Sequence, residues 1–548
     1  MPLTPVPRSS GASRRVQHAR WRRAVAWQIW RLTRRRQVTV SLAAVGVGLA
    51  VGLAALAFRL AILEIQFLFF GTRAEDLAGT MGDLPWWQIL LAPAAGGVIV
   101  GVILQRLGKE RPQGIPEVID ARARGGGRME TRPALVDAAL SATSLGAGAS
   151  AGREAPIVHL GGAIASLFAR RLHLPQRYSR TLLGCGAAAA VSASFNAPIA
   201  GVLFAFEIIL GSYALRAMAP VALAAVTGTL VTRTLLGEDP AFQVPEPALV
   251  SYLEMPAFVA LGLLSGLLAI LFIQSLKLGD GLARQIPMPL MARPVVGGLL
   301  IGLLALETPE ILGVGYGAID AALRETYALS ALLLLIGVKL LATAITFASR
   351  FGGGIFTPSI YVGAMAGGGF GIALGQVFPD QVTGFSFYAM VGMGSVAAAV
   401  LGAPLSTTLI AFELTGGYSL TIALLVSASI ATLLTQTLLG HSFFQWKLAQ
   451  RGLDLTGGSY TAVLKTIKVR RFMDRRPGPD PRLDDSLAAV TPDTSLEDVL
   501  ILLEEGNLDS VPVLDPDRPG FVLGTVTYTQ ALRTYKNALI RTNIEEHQ

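Results

Sequence analysis

Cysteine occurs once in this chain of 548 residues, at Cys185. A lone thiol excludes an intrachain disulfide, a thiol pair and a cysteine-built zinc cluster. Histidine is scarce as well, at five residues, and no HExxH helix, serine–histidine arrangement or metal-ligand cluster is present. The chain is therefore expected to be no enzyme and to hold no metal. Charge is also thin: 15% of the residues are charged against 52% hydrophobic, and mean hydropathy is +0.54. That balance excludes a soluble globule and reads as a polytopic membrane protein. Acid is missing from the start of the chain, where nothing precedes Glu64, while Arg8, Arg14, Arg15, Arg20, Arg22, Arg23, Arg31, Arg34, Arg35 and Arg36 do. A basic run ahead of an apolar span marks residues 1–37 as a cytoplasmic anchor, with no nucleic-acid partner expected. Trp21, Trp27 and Trp30 fit an interfacial helix on the inner leaflet. No cleavable signal peptide fits, because the basic stretch is too long.

What is abundant is glycine, at 60 residues, which suits close helix packing and interrupted helices. Apolar segments long enough to span lie at about 38–71 and 86–107. Gln113-Gly114-Ile115-Pro116-Glu117 opens a short helical stretch, and shorter segments follow at 133–147, 154–172, 177–192 and 196–211. Others lie near 216–236, 253–278, 292–306, 328–348, 352–377, 385–401, 404–415 and 419–440. Segments of unequal length, broken by Gly and Pro, point to discontinuous helices.

The centre of the chain is Ala151-Gly152-Arg153-Glu154-Ala155-Pro156. Gly146-Ala147-Gly148-Ala149-Ser150 before it is too small and flexible for a regular spanning helix. The spacing predicts a helix from Glu154, with Pro156 in the first turn where a missing N–H costs nothing. At membrane depth such a helix start favours an anion. Glu154 is then a carboxylate at an anion site, and ionisable groups inside a membrane are rare and usually functional. The plainer alternative is a helix-start carboxylate in a surface loop.

Two stretches recur. Ala197-Pro198-Ile199 leading to Leu203 and Phe206-Glu207 matches Ala403-Pro404-Leu405 leading to Leu409 and Phe412-Glu413, 206 residues on. Pro156-Ile157-Val158-His159-Leu160-Gly161 matches Pro358-Ser359-Ile360-Tyr361-Val362-Gly363, 202 residues on. The same order at nearly the same offset argues for two homologous halves, about 86–236 and 253–440, with a binding site at the midplane. Whether they run parallel or inverted does not follow from the pattern. The matched acids Glu207 and Glu413 are expected to hold a neighbouring backbone, and His159 and Tyr361 to pack. From residue 466 to 548 the chain is charged. Thr494-Ser495-Leu496-Glu497 predicts a capped helix through Leu503, and Val511–Leu514 and Val522–Val526 read as strands.

These motifs resemble the CLC family of chloride channels and chloride/proton exchangers over residues 38–453. Gly152-Arg153-Glu154-Ala155-Pro156 looks like GREGP, with Ala for the second Gly. Gly354-Ile355-Phe356-Thr357-Pro358 looks like GxFxP, Gln113-Gly114-Ile115-Pro116 like the end of GSGIP, and Phe195-Asn196-Ala197-Pro198 to Glu207 like the helix that follows. Residues 466–548 resemble one CBS domain. The resemblance implies an all-α polytopic membrane protein with a CLC-type inverted-repeat fold of discontinuous helices, plus a small cytoplasmic α/β CBS-like domain. It implies a homodimer in the bacterial inner membrane with both termini cytoplasmic. The function it implies is transport of chloride or another small monovalent anion, exchanged for protons and gated by Glu154. Gln113, Gly114, Arg153, Gly354, Ile355, Phe356 and Phe444 are the implied anion-binding positions. No cofactor is expected beyond an adenine nucleotide that CBS modules commonly bind.

The chain departs from the family pattern at three positions. Gln113 stands for the inner-site serine and Phe444, in Ser442-Phe443-Phe444, for the inner-gate tyrosine, so one anion contact is enlarged and one hydroxyl donor is lost. Ile208 stands for the inner proton-transfer glutamate, and isoleucine carries no proton. Glu207 lies about 100° away around the helix. Exchange is the expectation. An uncoupled channel gated by Glu154 is the alternative within the family. A non-conducting membrane sensor built on the CBS-like domain is the alternative outside it. Nitrate, fluoride and bicarbonate stay open as anions because of Gln113.

Overall fold

A computed structural model describes residues 36–107, 114–237, 254–379, 383–415, 420–453, 464, 467–479, 489–518 and 521–547. The three N-terminal tryptophans and Gln113 lie outside the described residues. The first half contains α1 (Arg36–Phe70), α2 (Trp86–Leu107), α3 (Ile115–Ala123), α4 (Thr131–Gly146), α5 (Glu154–Arg171), α6 (Gln176–Phe195), α7 (Pro198–Phe204) and α8 (Leu215–Leu236). The second contains α9 (Met255–Gln285), α10 (Ala292–Ala305), α11 (Tyr316–Leu323), α12 (Leu329–Ala348), α13 (Phe356–Val377), α14 (Phe385–Leu401), α15 (Pro404–Thr415), α16 (Leu420–Leu439) and α17 (Phe443–Ala449). Among the described residues, seven helical stretches are long and apolar enough to cross a membrane. The chain is thus an integral, multi-pass membrane protein.

The breaks come from local chemistry. Gly114 opens α3 at φ 67°, a left-handed conformation that glycine adopts at no steric cost, with Pro116 in the first turn. α6 ends on Asn196 at φ 57°, its amide oxygen held by Arg233 Nε at 2.6 Å, and Pro198 then starts α7. The equivalent Gly402, at φ 74°, ends α14, and Pro404 starts α15. After α7 the backbone runs as a π-helix over Ala205–Leu210.

The two halves meet through contacts that swap partners. Gly152 N–H donates to Gly354 O at 2.8 Å, and Gly354 N–H donates to Gly152 O at 2.6 Å, an antiparallel bridge between positions 202 apart. The Glu413 carboxylate accepts from Ile199 N (3.1 Å) and Ala200 N (2.7 Å). The Glu207 carboxylate accepts from Leu405 N (3.2 Å) and Ser406 N (2.7 Å), with Ser406 Oγ also donating at 2.7 Å. The first contact pairs a residue with its repeat equivalent, and the other two are repeat equivalents of each other, as a two-fold axis between the halves requires.

Within each half the helix after the central loop packs closely on the next. A Cβ at Gly161 would lie 2.5 Å from Gly186 O, and one at the equivalent Gly363 would lie 2.3 Å from Gly392 O. Backbones this close exclude any larger residue and give van der Waals packing its grip where lipid supplies little driving force. Arginines gather at one face. Arg170 Nη1 donates to Met129 O, Arg124 Nη2 donates to Arg451 O at 3.0 Å, and Arg451 pairs with Glu117 at 2.7 Å.

The C-terminal module holds a three-stranded antiparallel sheet, β1 (Asp474–Pro479), β2 (Ser510–Leu514) and β3 (Phe521–Thr527), in the order β1-β3-β2. With α18 (Leu496–Glu505) and α19 (Tyr528–His547) it buries its own apolar core of Val469, Val490, Leu496, Val499, Leu503, Val511, Val513 and Val526. β1 was not legible, since Asp-Arg-Arg-Pro-Gly-Pro has no alternating apolar face and its prolines fit only an edge strand. The cap of α18 is Ser495 rather than Thr494. Ser495 Oγ accepts from Asp498 N at 3.1 Å, while Thr494 Oγ1 is taken by Thr491 N at 2.9 Å.

Candidate functional site

The starts of α5 and α13 face each other across the Gly152–Gly354 bridge. Glu154, the first residue of α5, is 2% exposed. Thr357 Oγ1, in the first turn of α13, donates to its Oε1 at 2.5 Å. A Cβ on Gly152 would lie 2.4 Å from its Oε2 and 3.1 Å from Thr357 N, so only glycine leaves room for the carboxylate here. A carboxylate from one half thus sits at the helix start of the other, where free N–H groups favour negative charge.

Two cavities are lined by residues that flank this point. One, about 560 Å³ of empty space including its mouth, is lined by Arg59, Glu75, Arg153, Glu310, Gly315 and Tyr316 among others. There Glu75 Oε1 is shared by Arg59 Nε at 2.6 Å and Arg153 Nη1 at 3.3 Å, and the Arg153 guanidinium lies 4.9 Å from the Tyr316 ring centroid. The other, about 750 Å³ on the same measure, is lined by Ile115, Ala155, Gly354, Ile355, Phe356 and Phe444 together with Arg350 and Lys447. Arg153, Glu154 and Ala155 are consecutive: the first lines one cavity, the last lines the other, and the buried carboxylate lies between.

Most residues named from the sequence meet in these two spaces. Ile355, Phe356, Gly354 and Phe444 share the second cavity, and Gly114 lies against Ala155, with its built Cβ 3.1 Å from that methyl. Phe356 packs on Phe195 with ring centroids 5.0 Å apart. Phe444 is fixed by a capping box: Ser442 N donates to Gln445 Oε1 at 2.8 Å, and Ser442 Oγ accepts from Gln445 N at 3.4 Å. Arg153 faces Glu75 in the other cavity. Glu207 holds the first turn of α15, as described above. Ile208 is half-buried and packs as a hydrophobe against the core. At the mouth of the second cavity Asp280 is clamped by Arg350 Nη1 at 3.1 Å and Arg284 Nη2 at 3.0 Å.

Several members had no local signal. Thr357 occupies the position equivalent to Ala155, and nothing in its own segment marks it as a partner of an acid 203 residues earlier. Glu75 and Arg59 are separated from Arg153 by whole spans. His159 does more than pack, because its Nδ1 lies 2.9 Å from Asp137 Oδ2, with both side chains in the core.

A family profile described as voltage gated chloride channel matches residues 96–436, and a CBS domain profile matches residues 469–537. The chain belongs to the CLC, or voltage-gated chloride channel, family and carries a CBS domain. A ClcB-like protein of Ralstonia nicotianae is 34% identical over 386 residues, covering 70% of this chain and 90% of the relative. The voltage-gated ClC-type chloride channel ClcB of Escherichia coli is 31% identical over 411 residues, covering 74% of this chain and 97% of the relative. Among solved structures, a slow cyanobacterial Cl−/H+ antiporter superposes with a TM-score of 0.68 at 24% identity, covering 75% of this chain and 97% of the other. That likeness describes the fold.

Proposed function

We propose that the chain exchanges chloride for protons across the membrane, with Glu154 as gate and proton carrier. The observation that carries this reading is the run Arg153-Glu154-Ala155, whose first residue lines one cavity and whose last lines another, with the buried carboxylate of Glu154 between them in sequence. Protonation neutralises Glu154 and removes its attraction for the helix start of α13. The side chain then leaves its seat, an anion takes it, and deprotonation returns the carboxylate. The arginine-rich face carries the second cavity to the cytoplasm by the positive-inside rule, in an inner membrane with both termini inside. Gly114, Ile115 and Gly354 to Phe356 then line the inner approach with backbone and apolar surface, and Arg153 guides anions on the outer one. Ile199 and Leu405, equivalent in the two halves, are both exposed beside the reciprocal caps, at 56% and 44%, and supply the centre of a homodimer face.

The test is paired chloride and proton flux in liposomes holding the purified protein, with Glu154→Ala beside the wild type. A chloride gradient is expected to drive protons uphill in the wild type only, while chloride flux survives in Glu154→Ala. Chloride flux with no linked proton movement in the wild type favours the second reading, an uncoupled channel. The apolar Ile208 is the observation behind that reading. No anion flux from either folded protein overturns both.

A further inference from the structure

We infer that Asp137 and His159 form an inner proton relay to Glu154 that takes the place of the acid missing at Ile208. This rests on the exchange reading above. His159 Nδ1 lies 2.9 Å from Asp137 Oδ2, and the two side chains are 2% and 0% exposed. Asp137 is on α4 and His159 on α5, the helix that Glu154 opens. His159 follows Glu154 by five residues of one helix, about 7.5 Å of rise and about 140° of turn, so the two side chains face Asp137 and Thr357 respectively and transfer between them runs through water. A buried carboxylate–imidazole pair between membrane helices is costly and points to a function.

The pair also has a route to water. His159 lines a cavity on the arginine-rich face together with Glu117, Asp120, Arg124, Arg128 and Glu130. Those acids and arginines are the charged groups that face it from α3 and the loop before α4. From α6 the same part of α5 meets Gly186 and Ala190. The repeat sharpens the contrast. The positions equivalent to Asp137 and His159 are Lys339 and Tyr361, and they too touch, with Lys339 Nζ 4.7 Å from the Tyr361 ring centroid. Lys339 donates to Ile311 O at 3.0 Å, and Ile311 leads into the strand of residues lining the outer cavity. Both halves therefore place a charged residue against a ring at the same spot. Only the first half, on the cytoplasmic side, joins an acid to an imidazole.

The step conserves protons. Asp137 holds Nδ1–H, which leaves Nε2 to accept a proton from water in the cavity. The imidazolium is balanced by the Asp137 carboxylate. The Nε2 proton then passes to a water on the inner side of Glu154, that water gives one of its own protons to the Glu154 carboxylate and is itself restored, and the ring returns to neutral.

The experiment is paired flux in liposomes with the full chain. Variants are His159→Gln, Asp137→Asn, and His159→Gln combined with Ile208→Glu. His159→Gln is expected to lower proton flux per chloride about tenfold or more while chloride flux stays within about twofold, the scale of losing one positioned acid–base group. Ile208→Glu is expected to restore proton flux in that background, which a merely structural role for His159 does not predict. Unchanged coupling in His159→Gln overturns the relay and leaves exchange standing. Absent coupling in the wild type overturns exchange and the relay with it. If His159→Gln loses both fluxes, Asp137→Asn, equal in shape, decides: lost coupling with retained chloride flux supports the relay, and retained coupling overturns it.

Discussion

Gly152 and Gly354 exchange both of their backbone hydrogen bonds across the centre of the protein, at 2.8 and 2.6 Å. Each glycine ends the loop that leads into a central helix, and the two stand 202 residues apart in matching positions of the repeat. The bridge locks the two helix starts face to face. It gives the site a symmetric backbone on which the chemistry is asymmetric: Arg153 and Glu154 in one half stand at the positions that Ile355 and Phe356 hold in the other. Only one half contributes a carboxylate at this position.

Thr357 holds the Glu154 carboxylate in its seat. Its hydroxyl donates to Glu154 at 2.5 Å, and a hydrogen bond to a charged group contributes about 1.5–3 kcal/mol. Thr357→Val keeps the shape and removes the donor. The displaced form of Glu154 should then rise by about ten- to hundredfold, seen as faster chloride flux in liposomes with proton dependence retained.

Gly152→Ala acts on the same seat by crowding. The new Cβ would stand 2.4 Å from Glu154 Oε2, well inside contact distance. The carboxylate is expected to be held out of its seat, so chloride flux rises and the proton-to-chloride ratio falls. A wild-type ratio in Gly152→Ala would contradict the placement of the carboxylate.

Glu207→Gln and Glu413→Gln should behave alike, because each removes a carboxylate that holds two backbone N–H groups of the opposite half. The cost is about 1–3 kcal/mol each, as for other charge-assisted caps. Unfolding midpoints in detergent should fall for both. Glu207→Gln should leave the proton-to-chloride ratio alone, since that acid is engaged with α15.

Glu75 pairs with Arg153 and Arg59 in the first cavity, which the exchange reading places on the outer side. Burial pushes its carboxyl up, but the Arg153 and Arg59 guanidiniums outweigh this and hold it below the usual carboxylate range. A depressed carboxyl keeps its ion pairs at all pH above the usual range and loses them only as pH falls through its lowered value. Outer acidification from pH 7 to about 5 should therefore leave Arg153 occupied, since ordinary carboxylates titrate near 4. Glu75→Gln should free Arg153 at any pH, and the apparent chloride affinity from the outer side should rise severalfold, measured by flux against outer chloride.

Much of this protein was readable before any coordinates. The helix start at Glu154, the break before Pro198 and its echo at Pro404 are local events, dictated by glycine, proline and the free N–H groups of a first turn. Residue types and spacing carry such events directly. The repeat was legible for the same reason, since it compares one stretch with another. The strand Asp474–Pro479 was hidden because pairing with β3, rather than its own pattern, makes it a strand. Gln113, expected at the inner anion site, lies outside the described residues.

The amino-acid sequence by itself determined that this chain lives in a membrane, that its helices break at mid-depth, and that an acid stands at the main break. Only the tertiary structure decided what that acid meets. Thr357, Glu75 and the reciprocal caps of Glu207 and Glu413 join residues 78 to 214 positions apart. Hydrophobic period and motif spacing record which face of a helix is buried. They hold no record of which distant side chain is brought against it, because that follows from how two halves close around a shared axis.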